Sequence, residues 1–206
     1  MFKFTSKRPS PADAQTEDRL GEIEQLREQV RALRLRITEL EHLAGNDELV
    51  RLPNRRSFLQ SLSKLIDRVS RYDEPAAMIF VDVDGLKRIN DSFGHSAGDA
   101  ALMEVAQLLV ESVRESDYVG RLSGDEFGIL LERTDELGAW QMALRVVERV
   151  TSSECYADGK SIRLSVAVGV GMIKPDDTPH VAIKRADEQM YRIKFSSAMK
   201  VQTPPR

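Results

Sequence analysis

Apolar positions near the start of the chain recur with a spacing that no later segment shares. Ile23, Leu26, Val30, Leu33, Ile37 and Leu40 fall 3, 4, 3, 4 and 3 residues apart, and Ala44 continues the register. Glu, Arg and Gln fill most positions between them. This is a heptad seam, with β-branched residues at one core position and Leu at the other, a choice that favours a parallel two-stranded coil. The alternative is a helix packed on its own domain, because the seam covers only about three heptads. A coil over residues 17–44 would run roughly 40 Å at ~1.5 Å per residue. The pattern thus predicts a coiled-coil dimerisation stalk over 16–45. A polar, Pro-containing tail precedes it over 1–15, and a second tail closes the chain over 199–206.

"GND" at 45–47 breaks the heptads, and the pattern over 46–198 is that of a mixed domain. Residues 54–72 place Phe58, Leu62, Leu65, Ile66 and Val69 on one helical face. "AAMIFVDVD" is a short apolar run that ends in alternating acids, hence a buried strand. "GDAALMEVAQLLVESVRE" reads as a helix with Leu102, Val105, Leu109 and Val113 inward. "YVGRL" and "FGILLE" read as the strands of a hairpin around "SGDE". A helix over 135–152 is expected to turn Leu137, Leu144 and Val147 inward. "IRLSVAVGVGMI" predicts one further strand, and "HVAIKRADEQMYRIKF" a last helix. Helices alternating with strands predict an α/β (α+β) fold, a mixed sheet flanked by helices and preceded by the coiled-coil helix.

Chemistry enters with the acids. Asp82 interrupts an apolar strand, where a carboxylate is costly unless paired or bound to a cation. With period two, Asp82 and Asp84 share a face at the strand's end. The hairpin turn offers Asp125 and Glu126. If the two strands are neighbours, three or four carboxylates converge, and such hard oxygen ligands suit Mg2+. "SGDE" alone is also an ordinary turn composition. Between the two acid groups, "GLKRINDSFGHSAGD" supplies a flexible backbone at Gly85, a cation at Lys87, an amide at Asn90 and a carboxylate at Asp99. An amide can donate to O6 of guanine while an acid accepts from N1 and the 2-amino group. The plain alternatives are a turn at Asn90–Asp91 and a helix N-cap at Asp99. His42, His95 and His180 show no metal-ligand spacing.

Composition narrows the classes. The net charge of −3 gives no bulk attraction for nucleic acid. The single Cys155 cannot form an internal disulfide, and no apolar run reaches the ~18 residues of a membrane span. A cytoplasmic protein with no membrane insertion is therefore expected.

"DELVRLPNRRSF", "VDVDGLKRINDSFGHSAGD", "RESDYVGRLSGDEF" and "ADEQMYRIK" occur in this order between Asp47 and Lys194. Together they resemble the GGDEF-domain diguanylate cyclases. The resemblance implies a polymerase-palm-like sheet with surrounding helices. It also implies a reaction in which two GTP molecules, one on each of two subunits, become cyclic di-GMP and two pyrophosphates. By the same resemblance, Asp82, Asp125 and the backbone carbonyl of Val83 hold Mg2+ or Mn2+, and Glu126 has metal-binding and base roles. Lys87, Lys194 and the backbone at Gly85 and Leu86 contact phosphate. Gly124 lets the nucleotide approach, and Asn90 and Asp99 read guanine. Arg114 and Asp117, with Arg145, match an inhibitory site for intercalated cyclic di-GMP. The expected partners are GTP and the product as inhibitor, by the resemblance, and a second copy of the chain, by the heptad seam; control through the stalk, through the product or through an unidentified regulatory protein stays open.

Three departures stand out. Ser123 replaces the first signature glycine and is tolerable if its φ is negative. Ala198 falls where a second phosphate-binding cation is often found, with Lys200 nearby. Val50-Arg51 replaces the common Thr-Gly. Two other readings remain. A degenerate domain could bind GTP or cyclic di-GMP without catalysis, although Asp82, Asp125 and Glu126 are all present. A coiled-coil adaptor with an inert domain would leave the acids unexplained.

Overall fold

The computed structural model describes residues 23–31, 33, 45–157 and 159–201, with the backbone alone at 157 and 195–201. The tail over 1–15, residues 202–206 of the second, Ile37, Leu40, His42 and Ala44 lie outside the described residues, as do the side chains of Ala198 and Lys200. The chain divides after Ala44 into two units. In the first, residues 23–31 and 33 are helical (α1), and Ile23, Leu26, Val30 and Leu33 are exposed. No described helix is long and apolar enough to cross a membrane.

The second unit begins with α2 (Arg55–Tyr72), which the Asn54 side chain caps by accepting from the Ser57 amide at 3.1 Å. Its buried residues, Phe58, Leu62, Leu65, Ile66 and Val69, are those of the expected face. Next come β1 (Ala77–Val83), α3 (Leu86–Phe93), α4 (His95–Ser112), β2 (Tyr118–Ser123), β3 (Glu126–Leu131) and α5 (Glu136–Ser152). The short β4 (Cys155–Ala157) and β5 (Lys160–Ile162) pair with each other. Then β6 (Val166–Met172) and α6 (Pro179–Val201) complete the unit.

The main sheet has the order β2-β3-β1-β6, with β1 inside. Every pairing in it is antiparallel, so the sheet is not mixed in strand direction, although the α/β class stands. The helical connections do join strands that run the same way, β1 to β2 and β3 to β6. A strand running the other way lies between the members of each pair.

Period two sorts β1 between two cores. Ala77, Ile79, Val81 and Val83 pack with residues of α4 and α5. Met78 and Phe80 pack with α2 and α6. Burying each large side chain here contributes roughly 1.5–3 kcal/mol. The α6 face has a special fit. A Cβ on Gly169 of β6 would lie 2.1 Å from the Ala186 carbonyl oxygen and 2.3 Å from the Met190 nitrogen. Only glycine lets α6 sit this low, and Lys194 is one turn beyond Met190.

Several expectations need correction. Asn90 lies in the helix α3, whose polar composition and flanking glycines hid it. Asp99 is inside α4, because that helix starts at His95, so it is not an N-cap. On α5, Leu137 and Leu144 are 67% and 64% exposed. The buried stripe is Ala139, Met142, Ala143, Val146 and Val150. Its smaller residues bring the helix close to the sheet. Val113 ends α4 as its half-buried C-cap. "IRLSVAVGVGMI" is split, its first residue closing the β4–β5 hairpin and Val166–Met172 forming β6.

Candidate active site

Asp82 stands on the α6 side of β1, in step with Met78 and Phe80, and Asp84 follows two residues on. Both reach Lys194 of α6. The Lys194 Nζ lies 2.6 Å from Asp82 Oδ1 and 3.0 Å from Asp84 Oδ1. Burial acts against the charge on Lys194, but the hydrogen bonds to Asp82 and Asp84 outweigh it and raise its pKa above the ordinary lysine value. Asp84 is held from behind, where Ser165 Oγ donates to its Oδ2 at 3.1 Å.

The hairpin turn is locked to the same strand end. Asp82 and Glu126 are register partners. The Val83 amide donates to the Asp125 carbonyl at 3.0 Å. Glu126 accepts from Ser123 Oγ. Gly124 has φ 24°, while Ser123 is not among the residues of positive φ, so the serine fits the turn as expected. Arg121 clamps the turn from β2. Its Nε and a terminal nitrogen donate to the Gly124 carbonyl at 3.1 and 2.6 Å, and its other nitrogen meets Asp47 Oδ1 at 2.9 Å. Asp47 in turn accepts from the amides of Leu49 and Val50. Sequence reasoning missed this clamp. The available signal was an arginine inside the apolar run "YVGRL", the same kind of interruption that singled out Asp82.

The expected convergence of three or four carboxylates is replaced by a pair and a separate partner. Lys194 gathers Asp82 and Asp84, and Glu126 turns to Ser123. Among the described residues, no group of three or more metal-type side chains is gathered closely enough to hold an ion alone. The residues still fit a hard divalent cation. Two carboxylates already share one positive charge, and Mg2+ needs only one or two, completing its shell with phosphate and water.

Gly85, with φ 70°, opens α3, and the half-buried Leu86 follows it. Lys87 is exposed on the same helix, as is Asp99 on α4. Asn90 is half-buried where α3 packs on α4. A second place is formed elsewhere. Arg114, Asp117 and Arg145 line one cavity of about 150 Å3, with Glu132, Thr134 and Met142. Asp117 is fixed there by the amides of Arg114 at 3.0 Å and Glu132 at 3.4 Å. Arg145 donates to the Ser112 carbonyl at 2.8 Å.

Comparison with known proteins agrees with this architecture. The family model described as "Diguanylate cyclase, GGDEF domain" matches residues 44–200. The chain belongs to the GGDEF-domain diguanylate cyclase family. The diguanylate cyclase TpbB of Pseudomonas aeruginosa is 37% identical over 157 residues, covering 74% of this chain and 35% of that protein. The probable diguanylate cyclase DgcE of Escherichia coli is 36% identical over 161 residues, covering 77% of this chain and 14% of its own length. The match thus spans 35% or less of these curated relatives. Among solved structures, a sensory box/GGDEF family protein from Caulobacter crescentus superposes with a TM-score of 0.70 at 34% identity, covering 74% of this chain and 99% of that one. Diguanylate cyclase SiaD of Pseudomonas aeruginosa, solved with its activator SiaC, gives 0.71 at 28% identity, covering 90% of this chain and 72% of that one.

Proposed function

We propose that this protein is a diguanylate cyclase that condenses two GTP into cyclic di-GMP and two pyrophosphates. The observation that carries the reading is the strand-end corner, where Asp82 and Asp84 share one cationic atom and the Asp125–Glu126 turn is register-locked beside them.

Asp82, Asp125 and the Val83 carbonyl would hold Mg2+ or Mn2+. Such an ion, when bound, neutralises triphosphate charge and lowers the pKa of the attacking 3′-hydroxyl. Glu126 would accept that hydroxyl's proton. Lys87, Lys194 and the backbone at Gly85 and Leu86 hold the phosphates in line for displacement. The Gly124 turn, bare of a side chain, leaves room for the nucleotide. Asn90 and Asp99 read the guanine edge.

Each 3′-hydroxyl must attack the other nucleotide's α-phosphorus, so two sites face each other across a two-fold axis. The heptad seam supplies such an axis as a parallel homodimer. The exposure of Ile23, Leu26, Val30 and Leu33 supports it, since an apolar stripe of this kind favours a partner. Arg114, Asp117 and Arg145 form the product-inhibition site. Their shared cavity supports this role, because arginine forks and a fixed carboxylate suit phosphate and guanine. Control by a partner protein belongs to the same proposal, by analogy with SiaD and its activator.

The test is substitution at the corner. Asp82→Asn and Asp125→Asn should each abolish cyclic di-GMP formation while thermal unfolding shows the fold intact. Near wild-type turnover by either variant would overturn the site.

A further inference from the structure

Among the described residues, Asn90 Oδ1 is the only buried side-chain nitrogen or oxygen with no hydrogen-bond partner. An orphaned acceptor of this kind carries a real cost, so something must set it there. The neighbour is Gly98 on α4. A Cβ on Gly98 would lie 2.0 Å from that oxygen and 2.9 Å from the amide carbon. The oxygen therefore rests against the Cα hydrogen that a side chain would replace, within reach of a weak C–H···O contact. The amide nitrogen is not such a buried orphan, so its two N–H groups are left to meet a ligand. A glycine inside a helix costs about 1 kcal/mol relative to alanine. Gly98 has helical φ, so its backbone conformation does not require glycine. What the position requires is the space.

We infer that Gly98 is a positioning residue for base recognition, seating the Asn90 carboxamide with its oxygen inward and its nitrogen presented to O6 of the guanine. This rests on the reading of Asn90 as a guanine contact. It adds that a backbone atom of the next helix decides which end of the amide the base meets. The base is then selected as a 6-oxopurine at Asn90, while Asp99 reads the 2-amino side independently.

The experiment is equilibrium binding of nucleotides by calorimetry, with Ca2+ in place of Mg2+ to suppress turnover. The probes are GTP, 6-thio-GTP, which has a poor acceptor at position 6, and ITP, which lacks the 2-amino group. Wild type should prefer GTP to both. Gly98→Ala should weaken GTP binding by about 10–100-fold, the worth of one or two well-placed hydrogen bonds. It should also erase most of the preference over 6-thio-GTP and keep the preference over ITP. Its thermal midpoint should not fall. If Gly98→Ala folds poorly, the comparison moves to Asn90→Ala and Asn90→Ala/Gly98→Ala, where the overlap is absent. The double variant should bind GTP no more weakly than Asn90→Ala alone.

Unchanged GTP affinity in Gly98→Ala would overturn the inference. So would an equal loss for GTP, 6-thio-GTP and ITP, or a full additive loss in the double variant. A wild type that binds GTP with the expected preferences but makes no cyclic di-GMP overturns the proposed activity and leaves the role of Gly98 standing. A wild type that binds no GTP overturns both.

Discussion

Arg185 and Lys194 tie the two ends of helix α6 to carboxylates outside it, and the two ties are built differently. Near its start, Arg185 grips Asp177 with two nitrogens at 2.5 and 2.6 Å and also donates to the Met172 carbonyl at 2.7 Å. The Asp177 side chain is only 4% exposed. Burial disfavours its charge, but the hydrogen bonds from Arg185 and the Lys174 amide, with the charges of Arg185 and Lys174, outweigh it and lower the carboxyl pKa. Near the other end, Lys194 touches Asp82 and Asp84 as a point charge and remains 46% exposed. A planar fork fixes geometry, whereas an ammonium on a flexible stem exchanges partners readily. The first pair pins the helix to the end of β6. The second holds a cation that, in the proposed function, passes from two carboxylates to a triphosphate.

The largest effect expected from this contrast is functional. Lys194→Ala should lower cyclic di-GMP formation by about 10–100-fold, the scale of losing one charged phosphate contact, with a thermal midpoint near wild type. A strong loss of stability with unchanged turnover would reverse the roles assigned to the two pairs.

Asp177→Asn should do the opposite. It leaves Arg185 without its charged partner and should cost about 1–3 kcal/mol in denaturant unfolding, with turnover within a factor of about two. The pH dependence sharpens this. The folded pKa of Asp177 is lowered, so its stabilisation is complete above the ordinary carboxylate value near 3.8 and lost as pH falls through the folded value. Wild type should therefore lose stability more steeply below about pH 4 than Asp177→Asn does. Parallel acid limbs would contradict the assignment.

The smallest effect concerns the turn that Asp47 closes against Arg121. Arg51 there has φ 56°, in the left-handed region that favours glycine. This gives physical content to the departure from Thr-Gly at 50–51. Arg51→Gly should raise stability by about 0.5–1 kcal/mol, the strain relieved less the added freedom of the unfolded chain. A destabilised Arg51→Gly variant would show that the arginine side chain matters more than the backbone.

The sequence was most legible where a period could be counted. Two-residue alternation placed Asp82 and Asp84 on one face, and the hairpin reading placed the acids of the turn. Residues met by long-range packing were harder to find. Lys194 lies 112 residues from Asp82, and only the family resemblance pointed to it. The Gly169 contact that lowers α6 onto β6 has no local signature. On α5, two stripes both fitted a helical period, and the larger leucines proved to be outside. Asn90 was named for its chemistry, but nothing in the pattern said that Gly98 would fix its amide.

The most direct measurement of the central claim is the fate of GTP with Mg2+ and purified wild-type protein, followed by chromatography over a dilution series. The account predicts one cyclic di-GMP and two pyrophosphates for every two GTP consumed. It also predicts a rate per subunit that rises with protein concentration, because the two sites must face each other. GTP that remains intact, or product formed at the same rate per subunit in demonstrably monomeric protein, would contradict it.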